Sequence, residues 1–575
     1  TRFRNEGYYQ FSREYIAFAV DSSLEGNYVD IILQIRNPEI YKTHGVFTIS
    51  NVYVNVINKD VKDTIGEFAR WHLYDSLWMN LNRYPLKEDI LSSNILIRPG
   101  DLYSQKQVDN TYRRLNDILL LQQTGVTFEI DTSAPGTLLC FITLYPGKRQ
   151  ETIYEPQIIT SDQNNAVEQA NQRNYGIASA VTYRNKNLFR RAESFDLRYR
   201  ISLEGQFRFN DSIPFFNNIE NNFSTSLALP RITILRGLQR SIDIRSTKTT
   251  IIGSYIYESN IDFNRQVISL SYNEYFSRVF NSFNFTWLEV SFNKVEAKRN
   301  FLSLVNPADS IFVANLFVTN LIANSRFTWL YSDRFLIGAR NHFSARTMLE
   351  PAGNTLYAFM RLTGQPVPSD GIYKIDNVNF EQYIKIDEDI QFNQIINSIS
   401  SYAARLHLGV GLPYGNSKIM PFVRRYFIGG ANSLRGWRPR TLGPGSFTTT
   451  EPGVRADRSG EMIIEAQAEY RFVLIENLLN GAFFMDAGNI WYTKPVEGRE
   501  GAHFRMGTFM NEMAVDAGVG ARFDFSFFVV RLDFGVPLRN PELPSKTRWL
   551  FDDYERRDKR LFRSIIFNLG LGYPF

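Results

Sequence analysis

The sequence predicts a mainly β protein, in which a transmembrane antiparallel β-barrel of about sixteen strands follows small α+β modules. Three observations support this prediction. Apolar and polar residues alternate with a period of two in long runs from about residue 175 onward. The chain is rich in aromatic residues, with 46 Phe and 30 Tyr. No stretch approaches the roughly 20 consecutive apolar residues that a membrane-spanning helix needs.

The N-terminal part of the chain reads as one complete α+β module and part of another. The segment SQKQVDNTYRRLNDILLLQQ has apolar residues at helical spacing, and the strand-like runs GVTFEI and GTLLCFITLY follow it. Strand-like runs also precede this helix. We therefore expect a complete module at residues 46–150, the closing part of a preceding module at residues 1–45, and a linker at residues 151–174.

The remainder of the chain, residues 175–575, is predicted to form the barrel. In SFDLRYRISLEGQFRF the alternate positions other than Gly205 are apolar and all the residues between them are polar or charged, and YAARLHLGVGL and IIFNLGLGYPF repeat the pattern. Such long alternating runs are typical of strands with lipid on one side and water on the other. Because lipid cannot satisfy the backbone at an open edge, the sheet must close. A large soluble β protein is the alternative.

Composition argues against several other classes of protein. The net charge of +5 is small for 575 residues and the basic residues are interspersed with acidic ones, so no nucleic-acid partner is expected. The single cysteine, Cys140, lies in an apolar run and is predicted to be a buried structural thiol. The histidines have no metal-ligand spacing, and no nucleophile or phosphate-binding motif is present. We expect no enzyme activity, cofactor or metal. The histidines are His44, His72, His342, His407 and His503.

One glycine-rich segment is predicted to fold back into the barrel. The sequence RRYFIGGANSLRGW contains Gly429, Gly430 and the tripeptide Arg435-Gly436-Trp437, and a long polar stretch follows it. The glycines allow a sharp turn and a close approach to the wall. We place this lumen-folded loop at about residues 427–460, in a long extracellular connection.

Four features together resemble the Omp85 superfamily of outer-membrane assembly and translocation barrels. The first is the Arg-Gly-aromatic tripeptide, in which Trp437 stands where the family more often has Phe or Tyr. The second is a Phe-x-Asp-x-Gly motif, matched by Phe484, Asp486 and Gly488. The third is the C-terminal Phe575. The fourth is the pair of N-terminal modules, which resemble the POTRA repeats of that family.

The resemblance implies a location, a function and partners. It implies a barrel in the outer membrane, surrounded by outer-membrane lipid, with its POTRA-like domains in the periplasm and with client outer-membrane proteins as substrates. The phrases FNLGLGYPF and FRNEGYYQFSREYIAFAVDSS are similar to the TamA and TamL branch, and the BamA branch is the near alternative. The first branch implies a TamB-type periplasm-spanning partner at the POTRA-like domains, and the second implies assembly lipoproteins there.

The alternation of the late strands gives the loop arginine its predicted partners. In EMIIEAQAEYRFVL the apolar set faces lipid, which directs Glu469 into the lumen, and the next strand directs Asp486 inward in the same way. An unpaired guanidinium in a partly dehydrated lumen would be costly. We therefore expect Arg435 to pair with Asp486, Glu469 or both.

The predicted function is the insertion or translocation of other proteins through a lateral seam, with a secretion port or gated pore of the same superfamily as the alternative. The seam is expected where the first strand, near Ile177–Asn185 and including Val181, meets the last strand at Ile565–Phe575. That last strand includes Leu569, Gly570, Gly572 and Pro574. Glycine adds little packing and proline has no N–H for the ladder. The pairing is therefore expected to be weak, unless these residues merely fray the end of a sealed barrel.

Overall fold

The computed structural model describes residues 2–21, 29–38, 43–57, 71–161, 174–205, 216–239, 241, 243–260, 263–298, 318–334, 336, 338–366, 368–369, 371–448, 458–525, 527–550 and 565–575. The chain divides into an N-terminal α+β part and a large closed sheet. No helix among these residues is long and apolar enough to cross a membrane.

The first part of the chain forms a small two-stranded sheet. Helix α1 (Arg2–Asn5) and a 3₁₀ turn (Arg13–Tyr15) precede strands β1 (Ile16–Asp21) and β2 (Asp30–Ile35), which pair antiparallel. These elements lie within residues 1–45, the predicted closing part of a preceding module.

A five-stranded sheet with two helices follows. Its strand order is β4-β5-β3-β7-β6, in which β3 runs parallel to both of its neighbours. The core lies between this sheet and the helices, where Val52, Leu115 and Cys140 are fully buried, so the prediction of a buried Cys140 is confirmed. The elements are β3 (Thr48–Val56), β4 (His72–Tyr74), β5 (Leu77–Asn80), α2 (Glu88–Asn94), α3 (Gln105–Asn116), β6 (Leu121–Ile130) and β7 (Thr137–Pro146).

The rest of the chain forms a closed antiparallel barrel, as predicted. Its strands are β8 (Gln150–Ser161), β9 (Asn174–Asn185), β10 (Ser194–Gly205), β11 (Phe216–Leu229), β12 (Ser246–Ser259), β13 (Phe263–Ser277), β14 (Asn281–Ala297), β15 (Asn320–Ser332), β16 (Asn341–Ala352), β17 (Lys374–Ile375), β18 (Val378–Phe380), β19 (Tyr383–Asn397), β20 (Ser400–Pro413), β21 (Met462–Ile475), β22 (Leu479–Trp491), β23 (Ala514–Asp524), β24 (Val529–Arg539) and β25 (Ile566–Leu571).

The predicted number of about sixteen strands agrees with the barrel wall. Strands β17 and β18 contain only two and three residues and lie in the connection between β16 and β19, together with helix α4 (Asn354–Leu362). Because β16 pairs directly with β19, sixteen strands of six or more residues make up the wall in the part of the chain that the structure describes. The predicted fold class is confirmed.

The period-two pattern sets the two faces of the wall. Tyr199 and Phe223 lie opposite each other on neighbouring strands and are 46% and 44% exposed on the outer face. Arg198, one position away, points inward and pairs with Glu155 at 2.8 Å. Apolar side chains therefore face the surroundings of the barrel, and charged side chains pair inside it.

The predicted linker at residues 151–174 is wrong. Its first eleven residues belong to β8, which pairs along its whole length with β9. Its inner face carries Glu151 and Glu155, and its outer face carries Tyr154, Pro156 and Ile158. A proline and charged residues make this strand look like a linker in sequence, although proline is acceptable in a strand at a sheet edge.

Candidate functional site

The connection between β20 and β21 folds into the barrel. It covers residues 414–461, of which 414–448 and 458–461 are described, and we call it the lumen loop. It begins before the predicted residue 427, because β20 ends at Pro413 and a 3₁₀ turn at Phe422–Arg424 follows within the loop. A single backbone bridge between Tyr426 and Gly460 closes the base of the loop. Pro421 supplies no N–H for a longer ladder.

Arg435 lies fully buried between two carboxylates of the wall. Its Nε and Nη2 donate to the two oxygens of Asp486, each at 2.8 Å, and its Nη1 donates to Glu469 Oε2 at 2.6 Å. The backbone N–H of Arg435 also donates to Asp486, at 3.1 Å. The structure therefore brings Arg435 together with both residues named from the sequence. The fork of the guanidinium matches the carboxylate of Asp486 at two points.

An aromatic ring and further arginines complete this site. The guanidinium carbon of Arg435 lies 3.6 Å from the centre of the Phe484 ring, which favours a cation over its face. Glu469 also accepts hydrogen bonds from Arg522 at 2.9 Å and from Arg471 at 2.8 Å. Arg522 in turn donates to Asp533 at 2.7 Å. Arg435, Glu469, Asp486, Arg522 and Asp533 therefore each lie next to a charge of opposite sign, which offsets part of their desolvation cost.

The tip of the lumen loop also contacts the last two strands. The side-chain amide of Asn568 on β25 donates to the Arg435 carbonyl at 2.8 Å. Arg531 on β24 donates to the Ala431 carbonyl and to Asn432 Oδ1, at 2.8 and 2.7 Å. One short segment of the loop is thus bonded to β21, β22, β24 and β25. A change in the position of this segment would therefore alter its contacts with β24 and β25, where the sheet closes.

Glycines let the loop backbone lie against the wall. Gly429 and Gly430 have φ of 98° and 101°, a conformation that favours glycine. A Cβ at Gly436 would lie 2.4 Å from the Cβ of Asp516, and a Cβ at Gly535 would lie 2.5 Å from the carbonyl oxygen of Arg435. Larger residues at either position would push the loop away from β23 and β24.

The other motif residues pack the loop against the wall. Trp437 is 8% exposed and belongs to an apolar cluster with Ile428 and Leu434 of the loop and Ile490 of β22. A Cβ at Gly488 would lie 3.0 Å from the Ile428 side chain, so this glycine also permits close packing. No group of His, Cys, Asp and Glu within the described ranges has the arrangement of a metal site.

The base of the loop is held by a separate set of contacts. Arg424 donates to Glu289 of β14 at 2.8 Å, and the Tyr426 hydroxyl donates to Asp387 of β19 at 3.0 Å. A Cβ at Gly409 would lie 2.4 Å from the Tyr426 ring. The loop therefore crosses the lumen, from β14 and β19 at its base to β25 at its tip.

The predicted seam strand is wrong. The strand at Ile177–Asn185, which was expected to pair with the last strand, is β9 and lies between β8 and β10. Val181 is opposite Tyr154 on one side and Tyr199 on the other. The sheet closes instead where β25 lies next to β8. The shift by one strand follows from the misassigned linker.

The last residues of the chain do not continue the alternation predicted for IIFNLGLGYPF. Leu569 is 46% exposed on the outer face, but Gly572 adopts φ of 79° and the chain then turns inward. Phe575 is 9% exposed, and its carbonyl accepts a hydrogen bond from Arg471 at 3.2 Å. Gly570 makes room for a guanidinium, because a Cβ there would lie 2.6 Å from Arg531 Nη2.

Comparison with protein families identifies the class of this barrel. Residues 147–552, more than half of the chain, match the Omp85 superfamily domain. The chain belongs to the Omp85 superfamily. As an Omp85 protein it is an outer-membrane β-barrel with N-terminal domains in the periplasm. Proteins of this superfamily mediate the insertion or secretion of outer-membrane proteins. The barrel end that follows β7 is therefore the periplasmic end, and the lumen loop enters from the extracellular end.

One solved structure supports the fold, and two others are similar to a lower degree. BamA from Haemophilus ducreyi lacking POTRA domains 1-3 is similar over 93% of this chain and 87% of that chain, with 14% identity and a TM-score of 0.52. CdiB from Acinetobacter baumannii is similar over 94% of this chain and 77% of that chain, with 11% identity and a TM-score of 0.45. CdiB from Escherichia coli is similar over 94% of this chain and 78% of that chain, with 10% identity and a TM-score of 0.47. No curated protein matches the sequence.

Several residues of the site were not found from the sequence. Asp516, Arg522, Arg531 and Asp533 are fully or almost fully buried on the inner face beside Arg435. The sequence does indicate their direction, because VDAGVGARFDF and VVRLDF show the same apolar and polar alternation as the strands that contain Glu469 and Asp486. Asn568 gave no such signal, since a neutral amide on an alternating strand is ordinary in a barrel lumen.

Proposed function

We propose that this chain assembles client proteins into the outer membrane by receiving them at an opening between β8 and β25. The observation that carries the proposal is the limited pairing available at this closure. The described part of β25 has six residues and β8 has twelve, so β25 can cover at most half of the β8 edge. Pro156 of β8 also supplies no N–H. Such an edge can template an incoming strand through backbone hydrogen bonds.

The lumen loop supports this proposal over a simple open pore. Its tip is bonded both to the wall and to β25, through Arg435 and Asn568. We infer that the Arg435 site holds the loop in place and thereby keeps the closing strands in register. A simple open pore needs no such link between a lumen loop and its closing strand.

The N-terminal sheet offers a place for a periplasmic partner. Strand β6 lies at one edge of the five-stranded sheet, with β7 as its described neighbour. An exposed edge accepts a further strand through main-chain hydrogen bonds, a mode that tolerates varied sequences. We propose that these POTRA-like domains bind a TamB-type periplasm-spanning partner, as in the TamA and TamL branch. Assembly lipoproteins, as in the BamA branch, are the alternative.

Reconstitution tests the proposed function. The purified full chain in liposomes is mixed with an unfolded client barrel, and folding of the client is followed by heat-modifiable gel mobility and protease resistance. We expect folding severalfold faster than in liposomes with a passive porin. Equal rates would refute assembly activity. Client that is protected inside the vesicles without entering the membrane would favour the secretion port instead.

Copurification tests the partner. Deletion of residues 1–149 removes the N-terminal domains and leaves β8 complete. We expect the shortened chain to insert as a barrel but to lose its periplasmic partner. Full partner binding by the barrel alone would refute docking at the POTRA-like domains. The identity of the copurified partner distinguishes the two branches.

A further inference from the structure

One periplasmic connection lies against the outside of the barrel. Residues 230–245, between β11 and β12, form what we call the periplasmic shelf, of which all but 240 and 242 are described. Glu274 of β13 occupies the same face of its strand as Ile268 and Leu270, which are 55% and 58% exposed on the outer wall. Glu274 is nevertheless fully buried. The shelf is what covers it.

Backbone donors of the shelf satisfy the Glu274 carboxylate. Glu274 Oε1 accepts the N–H groups of Thr233 at 2.7 Å and Ile234 at 2.6 Å. Oε2 accepts the N–H of Leu235 at 3.3 Å and the indole N–H of Trp287 at 3.2 Å. A carboxylate on the outer wall of a membrane barrel is costly without such partners. These bonds therefore fix the shelf to the wall.

Apolar packing adds to this attachment. Ile232 and Ile244 of the shelf are 3% and 0% exposed and pack with Phe276 of the outer wall. Partly buried Leu235 and Leu238 join the same cluster. The shelf therefore has one apolar side against β13 and β14, at the level where the wall meets the periplasm.

The N-terminal domain is attached to the same shelf. Arg114 of α3 is 2% exposed and donates to the carbonyls of Ile244 at 2.6 Å and Ser241 at 2.9 Å, and also to that of Gln239. Lys106 forms an ion pair with Asp243. The shelf is thus fixed between the barrel wall and the α+β domain.

The remaining side of the shelf carries an exposed apolar residue next to a basic one. Ile234 is 53% exposed and Arg236 is exposed. The charged side chains around the shelf are of both signs, because Arg113 and Asp109 lie near Arg245, and Arg278 lies near Asp243. Arg236 Nε donates to the Thr233 carbonyl at 2.8 Å, which holds its side chain on the same turn as Ile234. At this level a membrane barrel meets the periplasmic leaflet, where acyl chains lie next to phosphate groups.

We propose that the periplasmic shelf is a phospholipid-binding site, in which Ile234 enters the periplasmic leaflet and Arg236 binds a phospholipid phosphate. Through Arg114, this contact also sets the height of the N-terminal domain above the membrane. The proposal goes beyond the proposed assembly function and does not depend on it.

A depth measurement tests the insertion of Ile234. The only cysteine of the chain, Cys140, is buried, so Ile234→Cys can be labelled selectively with the fluorophore NBD. In liposomes containing spin-labelled phosphatidylcholine we expect at least about twofold stronger quenching than for labelled Ile31→Cys, a similarly exposed control on the N-terminal hairpin. Equal quenching at the two sites would overturn the proposal.

A second measurement tests the phosphate contact. The full chain is extracted from mixed phosphatidylcholine and phosphatidylglycerol liposomes, and the retained phospholipid is counted by native mass spectrometry. We expect Arg236→Gln to retain about threefold less phosphatidylglycerol than the unmodified chain. Arg13→Gln, an exposed control on the N-terminal part, should retain as much as the unmodified chain. Unchanged retention in Arg236→Gln would overturn the phosphate contact. A label at Ile234 that is shielded by a copurified protein instead of lipid would also overturn the proposal.

Discussion

Replacing Arg435 by alanine is expected to release the tip of the lumen loop while the wall stays paired. The change removes three hydrogen bonds to Asp486 and Glu469 from the guanidinium and leaves the Asp486 carboxylate buried without its main cation. Removing one partner of a buried ion pair costs about 3–5 kcal/mol. At about 1.4 kcal/mol for each tenfold change, the docked loop should lose stability by a factor of about a hundred or more.

Alkylation of a buried loop residue measures this change. Leu434 is fully buried, so Leu434→Cys reacts with maleimide only when the loop tip opens. We expect the labelling rate to rise about a hundredfold when Arg435→Ala is added, in proportion to the open population. The control Lys418→Ala, at an exposed position in the same loop, should change the rate little. A change of less than about threefold in Arg435→Ala would refute the anchoring role of this residue.

Three further predictions follow from the packing. Gly436→Ala should undock the loop nearly as much as Arg435→Ala does, because its Cβ would lie 2.4 Å from the Cβ of Asp516, and the same labelling rate checks it. Cys140 should resist thiol reagents in the folded protein and react on unfolding, because burial raises the pKa of its thiol to about 12 and the thiolate is the reactive form. Rapid labelling of the native chain would contradict its buried position. Arg114→Met should broaden the distribution of spin-label distances between the N-terminal domain and the barrel, because the change removes the bonds to the shelf carbonyls. The exposed control Arg113→Met should keep a narrow distribution, and an equally narrow one in Arg114→Met would contradict this prediction.

The sequence predicted the inside of the barrel well because alternation and closure leave each side chain only two directions. Once the apolar face of β21 is assigned to lipid, Glu469 must point inward, and the same reasoning places Asp486. The pairing with Arg435 then follows from the cost of an unpaired buried guanidinium. These steps need only local pattern and electrostatics.

The first strand and the C-terminal residues could not be predicted in the same way. Pro156 and the charged inner face of β8 hide its alternation, and only its pairing with β9 reveals a strand. The inward turn at Gly572 depends on a contact between Phe575 and Arg471, which are 104 residues apart in sequence. The position of the shelf against Glu274 is likewise a tertiary contact, and nothing in its local pattern indicates which face of the wall it covers.

Locking the closure between β8 and β25 tests the central claim most directly. Cysteine pairs that combine positions 152–158 of β8 with positions 567–571 of β25 are scanned for disulfides and assayed for client folding in liposomes. The matched control links Val181→Cys to Tyr199→Cys, which lie directly opposite each other on β9 and β10, away from the closure. We predict that a disulfide across the closure stops client folding and that a reductant restores it, while the control disulfide has no effect. Full client folding by a barrel with a demonstrated β8–β25 disulfide would contradict assembly through this opening.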